Sequence, residues 1–216
     1  MVSYISDRWD QIAFASWQHF SLVVQCLLLA TILAVALAAL CYHRPALAGV
    51  ANGVSAAGLT IPSFALIGLM IAPFGFGVAP AMIVVTFYCL LPILRNALVG
   101  LSNVDPSLVE AARGIGMSRV ATFFKVELPL AWPVILAGMR VSAQMTMGVA
   151  AVSAYVLGPG LGGFIFSGLS RLGGANSFEA VVTGVVAVIV IALILDGLLV
   201  LLGRLTTSRG IRVSSH

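Results

Sequence analysis

Long apolar runs, punctuated by glycine, proline and basic residues, dominate the chain. The first covers about Ser21–Tyr42 and closes at His43-Arg44-Pro45. The second covers about Leu47–Ile71 and closes at Pro73-Phe74-Gly75. The third covers about Val78–Leu101. The fourth covers about Leu130–Leu157 and closes at Gly158-Pro159-Gly160, and the fifth about Phe178–Leu202, closing at Gly203-Arg204. Each reaches or exceeds about 20 residues, enough to cross ~30 Å of hydrocarbon at ~1.5 Å per residue. Their apolar positions do not alternate, which argues against a lipid-facing barrel. The pattern predicts an all-α integral membrane protein of about five transmembrane helices.

Two stretches break the pattern. In Asp7–Phe20, Trp9, Ile12, Ala13, Ser16 and Phe20 share one helical stripe, while Asp10, Gln11 and Gln18 lie off it. Trp9 and Trp17 suit the headgroup level, so residues 1–20 read as an outer amphipathic segment leading into the first span. The longest polar stretch is Ser102–Glu127. Asp105-Pro106 starts a helix, with Asp as cap and Pro at the first helical position. A short helix over Leu108–Arg113 then ends at Gly114 and Gly116. Ser118 caps a second helix over about Arg119–Val126, and Pro129 opens the fourth span. Ala111, Ala112, Gly114 and Gly116 at the bend would let another protein approach the backbone closely. By pattern alone this loop is either a docking element or a connector.

Composition narrows the class. Of 216 residues 61% are hydrophobic and 8% charged, against roughly 25% charged in soluble domains. A soluble enzyme and a disordered chain are both excluded. The net charge of +4 reads as topology rather than as a nucleic-acid surface. With the N-terminus outside, Arg44, Arg95, Arg113, Arg119, Lys125, Arg140, Arg204, Arg209 and Arg212 fall inside, leaving only Arg8 and Arg171 outside. The positive-inside rule therefore predicts N-out, C-in, which needs an odd number of spans. Cys26, Cys41 and Cys89 share no metal-ligand or disulfide spacing and read as buried thiols. No cleavable signal peptide is expected, because the first apolar run is long and its basic flank follows it. The resulting division is 1–20, a single membrane domain over 21–204 containing the 102–128 loop, and a cytoplasmic tail over 205–216.

Several intramembrane residues invite a functional reading. Arg95, Arg140 and Asp196 lie in the inner parts of spans three, four and five, as a lining of the inner mouth, as snorkelling groups, or as an Asp196–arginine pair. Pro62, Ser63 and Phe64 interrupt the second span, and freed backbone is tolerated there only beside protein or water, so a kinked, pathway-lining helix is expected. Phe64, Phe87, Tyr88 and Tyr155 either offer π faces to a cation or serve as packing. Gly49, Gly53, Gly58, Gly68, Gly184 and Gly197 fit close helix packing, with Gly53–Ala57 and Ala180–Gly184 at small-xxx-small spacing.

Glu110-Ala111-Ala112, then Gly116, with Leu128-Pro129 further on, resembles the EAA loop of ATP-binding cassette importer permeases. Leu91-Pro92-Ile93-Leu94-Arg95-Asn96, Val104-Asp105-Pro106, Arg113-Gly114-Ile115-Gly116-Met117 and Val126-Glu127-Leu128-Pro129-Leu130 extend the likeness. So do Thr60-Ile61-Pro62-Ser63 and Leu157-Gly158-Pro159-Gly160-Leu161-Gly162-Gly163. Together they resemble the permeases for glycine betaine, carnitine and choline over about residues 17–204. Pro159, where family members often carry Ala, and the apolar Phe164-Ile165-Phe166 depart from that pattern.

The resemblance implies a type I importer permease fold in the bacterial cytoplasmic membrane, with the loop as a coupling helix in a groove of a cytoplasmic ATPase. It implies coupling roles for Glu110, Ala111, Ala112, Gly114 and Gly116. Independently of it, Glu110 is also explained as a carboxylate near a helix N-terminus, and Gly116 as a helix stop. The pathway candidates are Pro62, Ser63, Phe64, Tyr88, Tyr155 and Asp196. The implied partners are two ATPase subunits carrying ATP and Mg, a second identical or similar permease, an extracytoplasmic binding protein and membrane lipid. The sequence has no Gly-x-x-x-x-Gly-Lys-[Ser/Thr] motif, so no P-loop nucleotide site and no bound cofactor are expected. His19, His43 and His216 lie at or beyond span ends, which argues against an intramembrane His-built enzyme. The rival readings are a permease for another small polar solute, such as an amino acid, and a self-contained secondary transporter, which would need mid-membrane coupling charges or inverted repeats.

Overall fold

The computed structural model describes residues 1–207 and is helical throughout its regular structure. The helices are α1 (Val2–Asp7), α2 (Trp9–Cys41), α3 (Pro45–Gly58), α4 (Ser63–Phe74), α5 (Val78–Ser102), α6 (Pro106–Gly114), α7 (Arg119–Thr122), α8 (Leu128–Val152), α9 (Gly162–Leu169) and α10 (Ser177–Thr206). A π-helical segment, Phe123–Glu127, joins α7 to α8, and a 3-10 turn, Ser153–Val156, follows α8. Most of the tail assigned to 205–216, with Arg209 and Arg212, lies outside the described residues.

Contacts between helix ends give the direction of each crossing. At the end carrying residues 102–128, the loop end, Tyr42 follows α2 and bonds Glu127 just before α8. There too Trp132, early in α8, donates to Thr206 Oγ1 at the end of α10, at 2.7 Å. At the opposite end the Gly77 N–H donates to the Val156 carbonyl at 2.7 Å. So α2, α5 and α10 run toward the loop end and α8 runs away from it.

The second predicted span is not one helix. α3 and α4 meet at a break with a bend of 95°. A break of that size could belong to a re-entrant loop, but α3 begins beside Tyr42 at the loop end and α4 finishes just before Gly77 at the opposite end. The pair therefore traverses the bundle and makes the fifth crossing beside the four long helices. The sequence expectation of a kink at Pro62 is met in exaggerated form. Pro62 precedes α4 with extended backbone, ψ 126°, as proline and its missing N–H dictate. The Tyr88 hydroxyl on α5 donates to the Ile61 carbonyl in the break. A protein partner thus serves a carbonyl that lipid cannot.

α5 is central, packing on α2, α3, α4 and α8. α2 meets the core through small residues: Ala30, Ala34 and Ala38, one turn apart, are fully buried below Val23 and Cys26. Its opposite face, with Leu28, Leu29, Ile32, Leu33, Leu37 and Leu40, is exposed. Small residues inward and large ones outward is the arrangement that lets backbones approach where lipid supplies no hydrophobic drive. The glycines contribute less than expected. Gly49, Gly53, Gly68 and Gly197 have open space where a Cβ would stand. Gly58 does meet Leu91 and Phe87, and Gly184 fits tightly against Ile165 of α9, so Ala180–Gly184 is a packing motif and Gly53–Ala57 is not.

The N-terminal segment leads into the first span as helix. Its break falls at Arg8, and from Trp9 the helix continues unbroken into the first span. Trp9, Ile12, Ala13 and Ser16 do share a face, and that face lines an apolar cleft against Val182, Val186 and Val190 of α10.

Asp196 and Arg140 tie α10 to α8. The guanidinium donates through Nε and Nη2 to the two carboxylate oxygens, both at 2.8 Å, and Gln144 Nε2 adds a bond at 3.2 Å. This is the paired alternative left open for Asp196. Asp196→Leu leaves an uncompensated guanidinium among apolar helices. It should destabilise the folded protein by about 1 kcal/mol in denaturant titrations in detergent, a modest figure because the Arg140 side chain is 41% exposed. The double change Arg140→Leu/Asp196→Leu should recover most of the loss, because it strands no charge.

Candidate coupling and translocation sites

Residues 102–128 fold as local side-chain chemistry dictates. The Ser107 N–H donates to Asp105 Oδ1 at 2.9 Å, and Pro106 occupies the first turn of α6. That backbone bond, with the Ser107 hydroxyl second, holds the Asp105 carboxyl below its ordinary range. At the other end of α6 the Met117 N–H bonds the Ala112 carbonyl at 3.1 Å and the Gly116 N–H bonds the Arg113 carbonyl at 2.9 Å. With Gly116 at φ +89° this is a Schellman stop, and a left-handed residue there favours glycine. Gly114, expected to end the helix, lies instead within its last turn. Ser118 Oγ accepts from the Ala121 N–H at 3.2 Å and caps α7, as expected. The helix does not stop before the fourth span, however. It runs on through the π-helical segment directly into α8, with Pro129 in the first turn.

Glu110, Ala111, Gly114 and Gly116 are all exposed on this element, and Ala112 is buried against its support. Ala111, Gly114 and Gly116 leave a bare small-residue surface on α6, while Glu110 lines a cleft of about 320 Å³ with Pro106, Val109 and Arg113. Ile115, between the two glycines, is 82% exposed, an apolar side chain held out at the tip. Sequence reasoning missed it, because exposure at a helix end is not signalled by residue type.

Beneath α6, the Tyr42 hydroxyl donates to Glu127 Oε2 at 2.5 Å. Tyr42, His43, Arg113 and Glu127 line both a cleft of about 430 Å³ and a neighbouring one of about 320 Å³. Neither Tyr42 nor Glu127 was singled out from sequence. They are far apart in the chain, and no local spacing signals the contact.

The pathway candidates divide into three groups. Pro62, Ser63 and Phe64 sit together at the α3–α4 break. Phe64 meets Tyr155 at 4.7 Å between ring centroids, and Tyr155 meets Phe166 at 6.0 Å. Phe64 and Tyr155 are about half exposed, so this aromatic group opens on a free surface of the chain. Tyr88 is buried and supports the break through Ile61, so it presents no ring to a passage. Asp196 lies on α10, joined to α8.

The exposed faces of the long helices differ in kind. α10 shows Val186, Ile189, Val190, Leu193, Leu198 and Leu201, a surface suited to acyl chains. α8 shows Ala137, Val141, Gln144 and Gly148, one turn apart in succession. That stripe is small and partly polar. On one side a cleft of about 380 Å³ joins Val141 and Met145 to Arg95, Asn96 and Leu59. On the other side stands the Arg140–Asp196 pair. Gln144 and Asn96 were not among the sequence candidates.

Residues 27–208 match the family described as binding-protein-dependent transport system inner membrane component. The osmoprotectant import permease protein OsmW of Salmonella typhimurium is 38% identical, over 98% of this chain and 99% of its own. The choline transport system permease protein OpuBB of Bacillus subtilis is 32% identical, over 98% of this chain and 96% of its own. Among solved structures, an inward-facing form of the MetNI methionine ABC transporter superposes with a TM-score of 0.73 at 20% identity, covering 91% of this chain and 96% of that one. That likeness bears on the fold alone, and the fold is that of a type I importer permease. The chain belongs to the family of binding-protein-dependent transport system inner membrane components.

Proposed function

We propose that this chain is the permease subunit of an ATP-driven importer for quaternary-ammonium osmoprotectants, such as glycine betaine, choline and carnitine, in the bacterial cytoplasmic membrane. The observation that carries the reading is α6: a short helix fixed at both ends, exposing Glu110, Ala111, Gly114, Ile115 and Gly116, in a chain whose relatives are named for osmoprotectant and choline transport. The loop end faces the cytoplasm, where Arg44, Arg113, Arg119 and Lys125 obey the positive-inside rule. α6 enters a groove on a separate ATPase subunit, which binds ATP and Mg.

Two permeases form the route, because one chain of five crossings leaves the α8 stripe open. Ala137 and Gly148 let a second permease come close, while Gln144, with Arg95 and Asn96 nearby, gives the passage polar groups. The Phe64–Tyr155–Phe166 group lies toward the end where a binding protein would release a cation, and π faces suit a quaternary ammonium. The covalent step, ATP hydrolysis, takes place on the partner. This chain binds, seals and moves.

Reconstituted with its ATPase and binding protein, the chain should take up labelled glycine betaine or choline only when ATP is enclosed with the ATPase. Uptake without ATP or without partners would overturn the importer reading. Glu110→Ala should leave membrane insertion intact and lower substrate-stimulated ATP hydrolysis by roughly tenfold, the factor that ~1.4 kcal/mol of lost coupling represents. Unchanged stimulation would remove Glu110 from the mechanism. For orientation, a cysteine placed at Ser118 should resist a membrane-impermeant maleimide in intact cells, and one at Leu172 should react. The reverse pattern would invert the topology.

A further inference from the structure

The coupling helix does not stand directly on the bundle. α6 packs on α7 and on the π-helical segment Phe123–Glu127. Beneath it lie the two clefts of about 430 and 320 Å³, and the residues common to both are Tyr42, His43, Arg113 and Glu127. Tyr42 and Glu127 form the post between the clefts. Tyr42 caps the last turn of α2, its ring lies 3.8 Å from that of His43, and it tilts against Phe123 at 6.5 Å. Glu127, only 3% exposed, ends the π-helical segment at the first turn of α8.

A π-helical turn closes its hydrogen bonds one residue further along than an α-helical turn, which loosens the regular ladder, and such turns are frequent at functional sites. Here it lies between the element that receives force and the helix that must move. Movement of α6 can therefore be absorbed in the segment or passed on through it. A buried carboxylate held by a phenol at 2.5 Å fixes the far end of the segment to α2. Hydrogen bonds to charged groups are among the stronger ones, and leaving such a group unpaired is costly.

We infer that the Tyr42–Glu127 bond is a positioning contact for transport: it makes α2 move together with the base of α8, so that displacement of α6 reaches the bundle instead of being lost in the π-helical segment. The inference rests on the reading of α6 as the ATPase-coupling helix. It adds a specific path from that helix into the first span, through two residues 85 positions apart.

The test uses the full complex of permease, ATPase and binding protein in vesicles, with labelled glycine betaine as probe. The measured quantity is substrate transported per ATP hydrolysed. A merely structural role would reduce the amount of assembled complex and lower both fluxes in proportion, leaving this ratio unchanged. Tyr42→Phe, which removes a single oxygen, should assemble normally and lower the ratio by about tenfold, the equivalent of ~1.4 kcal/mol. Glu127→Gln keeps an acceptor for the phenol and should stay within about twofold of the unaltered complex. Tyr42→Phe/Glu127→Gln should be no better than Tyr42→Phe, because the shared bond is already gone. An unchanged ratio in Tyr42→Phe, or a loss fully explained by reduced assembly, would overturn the inference while leaving the importer reading in place. Failure of the unaltered complex to couple uptake to ATP would overturn the importer reading, and this inference with it.

Discussion

A backbone crossing hydrocarbon has to satisfy its own hydrogen bonds, and several departures from straight helix among the described residues lie where a protein group meets that demand. The α3–α4 break is served at Ile61 by the Tyr88 hydroxyl. The turn before α5 is served by the Val156 carbonyl, which accepts from Gly77. α6 and α7 close their ends with Asp105, Gly116 and Ser118 before the chain re-enters the bundle. The charged groups follow the same logic. Arg140 and Asp196 occur as a bidentate pair, so that two helices share one neutral unit.

The same economy shapes how the helices are joined. The core is joined by small residues on α2 and by the central position of α5, which gives α2, α5 and α8 close contact. α10 is peripheral, with a broad aliphatic face, and is tied to α8 by the polar contacts Arg140–Asp196 and Trp132–Thr206 as well as by apolar packing. Around that core stand two irregular joints, the 95° break and the π-helical segment. One lies midway along the second crossing and the other under α6.

Some of this was legible in the sequence because it is local. Asp105-Pro106, Gly116 and Ser118 act on amides within a few residues of themselves, so their roles followed from spacing. Pro62 announced a break for the same reason. Long-range facts were not legible. The carbonyl freed in the bend is met by Tyr88 from another helix, a residue the sequence offered only as a pathway candidate. Glycines in the second crossing suggested close packing, but the surfaces that approach belong to Ala30, Ala34 and Ala38, which composition alone does not distinguish from other alanines. Asp196 was open between a pathway group and an ion pair until its distance to Arg140 was known. The Tyr42–Glu127 contact left no trace in spacing at all.

The central claim is that the exposed tip of α6 is the surface that meets an ATPase. It is tested most directly with a spin label at Ile115→Cys in the reconstituted permease, recorded before and after the ATPase subunit is added. The account predicts a mobile label that becomes immobilised on addition, and a label at Leu172→Cys, at the opposite end, whose spectrum does not change. A label at Ile115 that stays equally mobile while the ATPase is bound would contradict it.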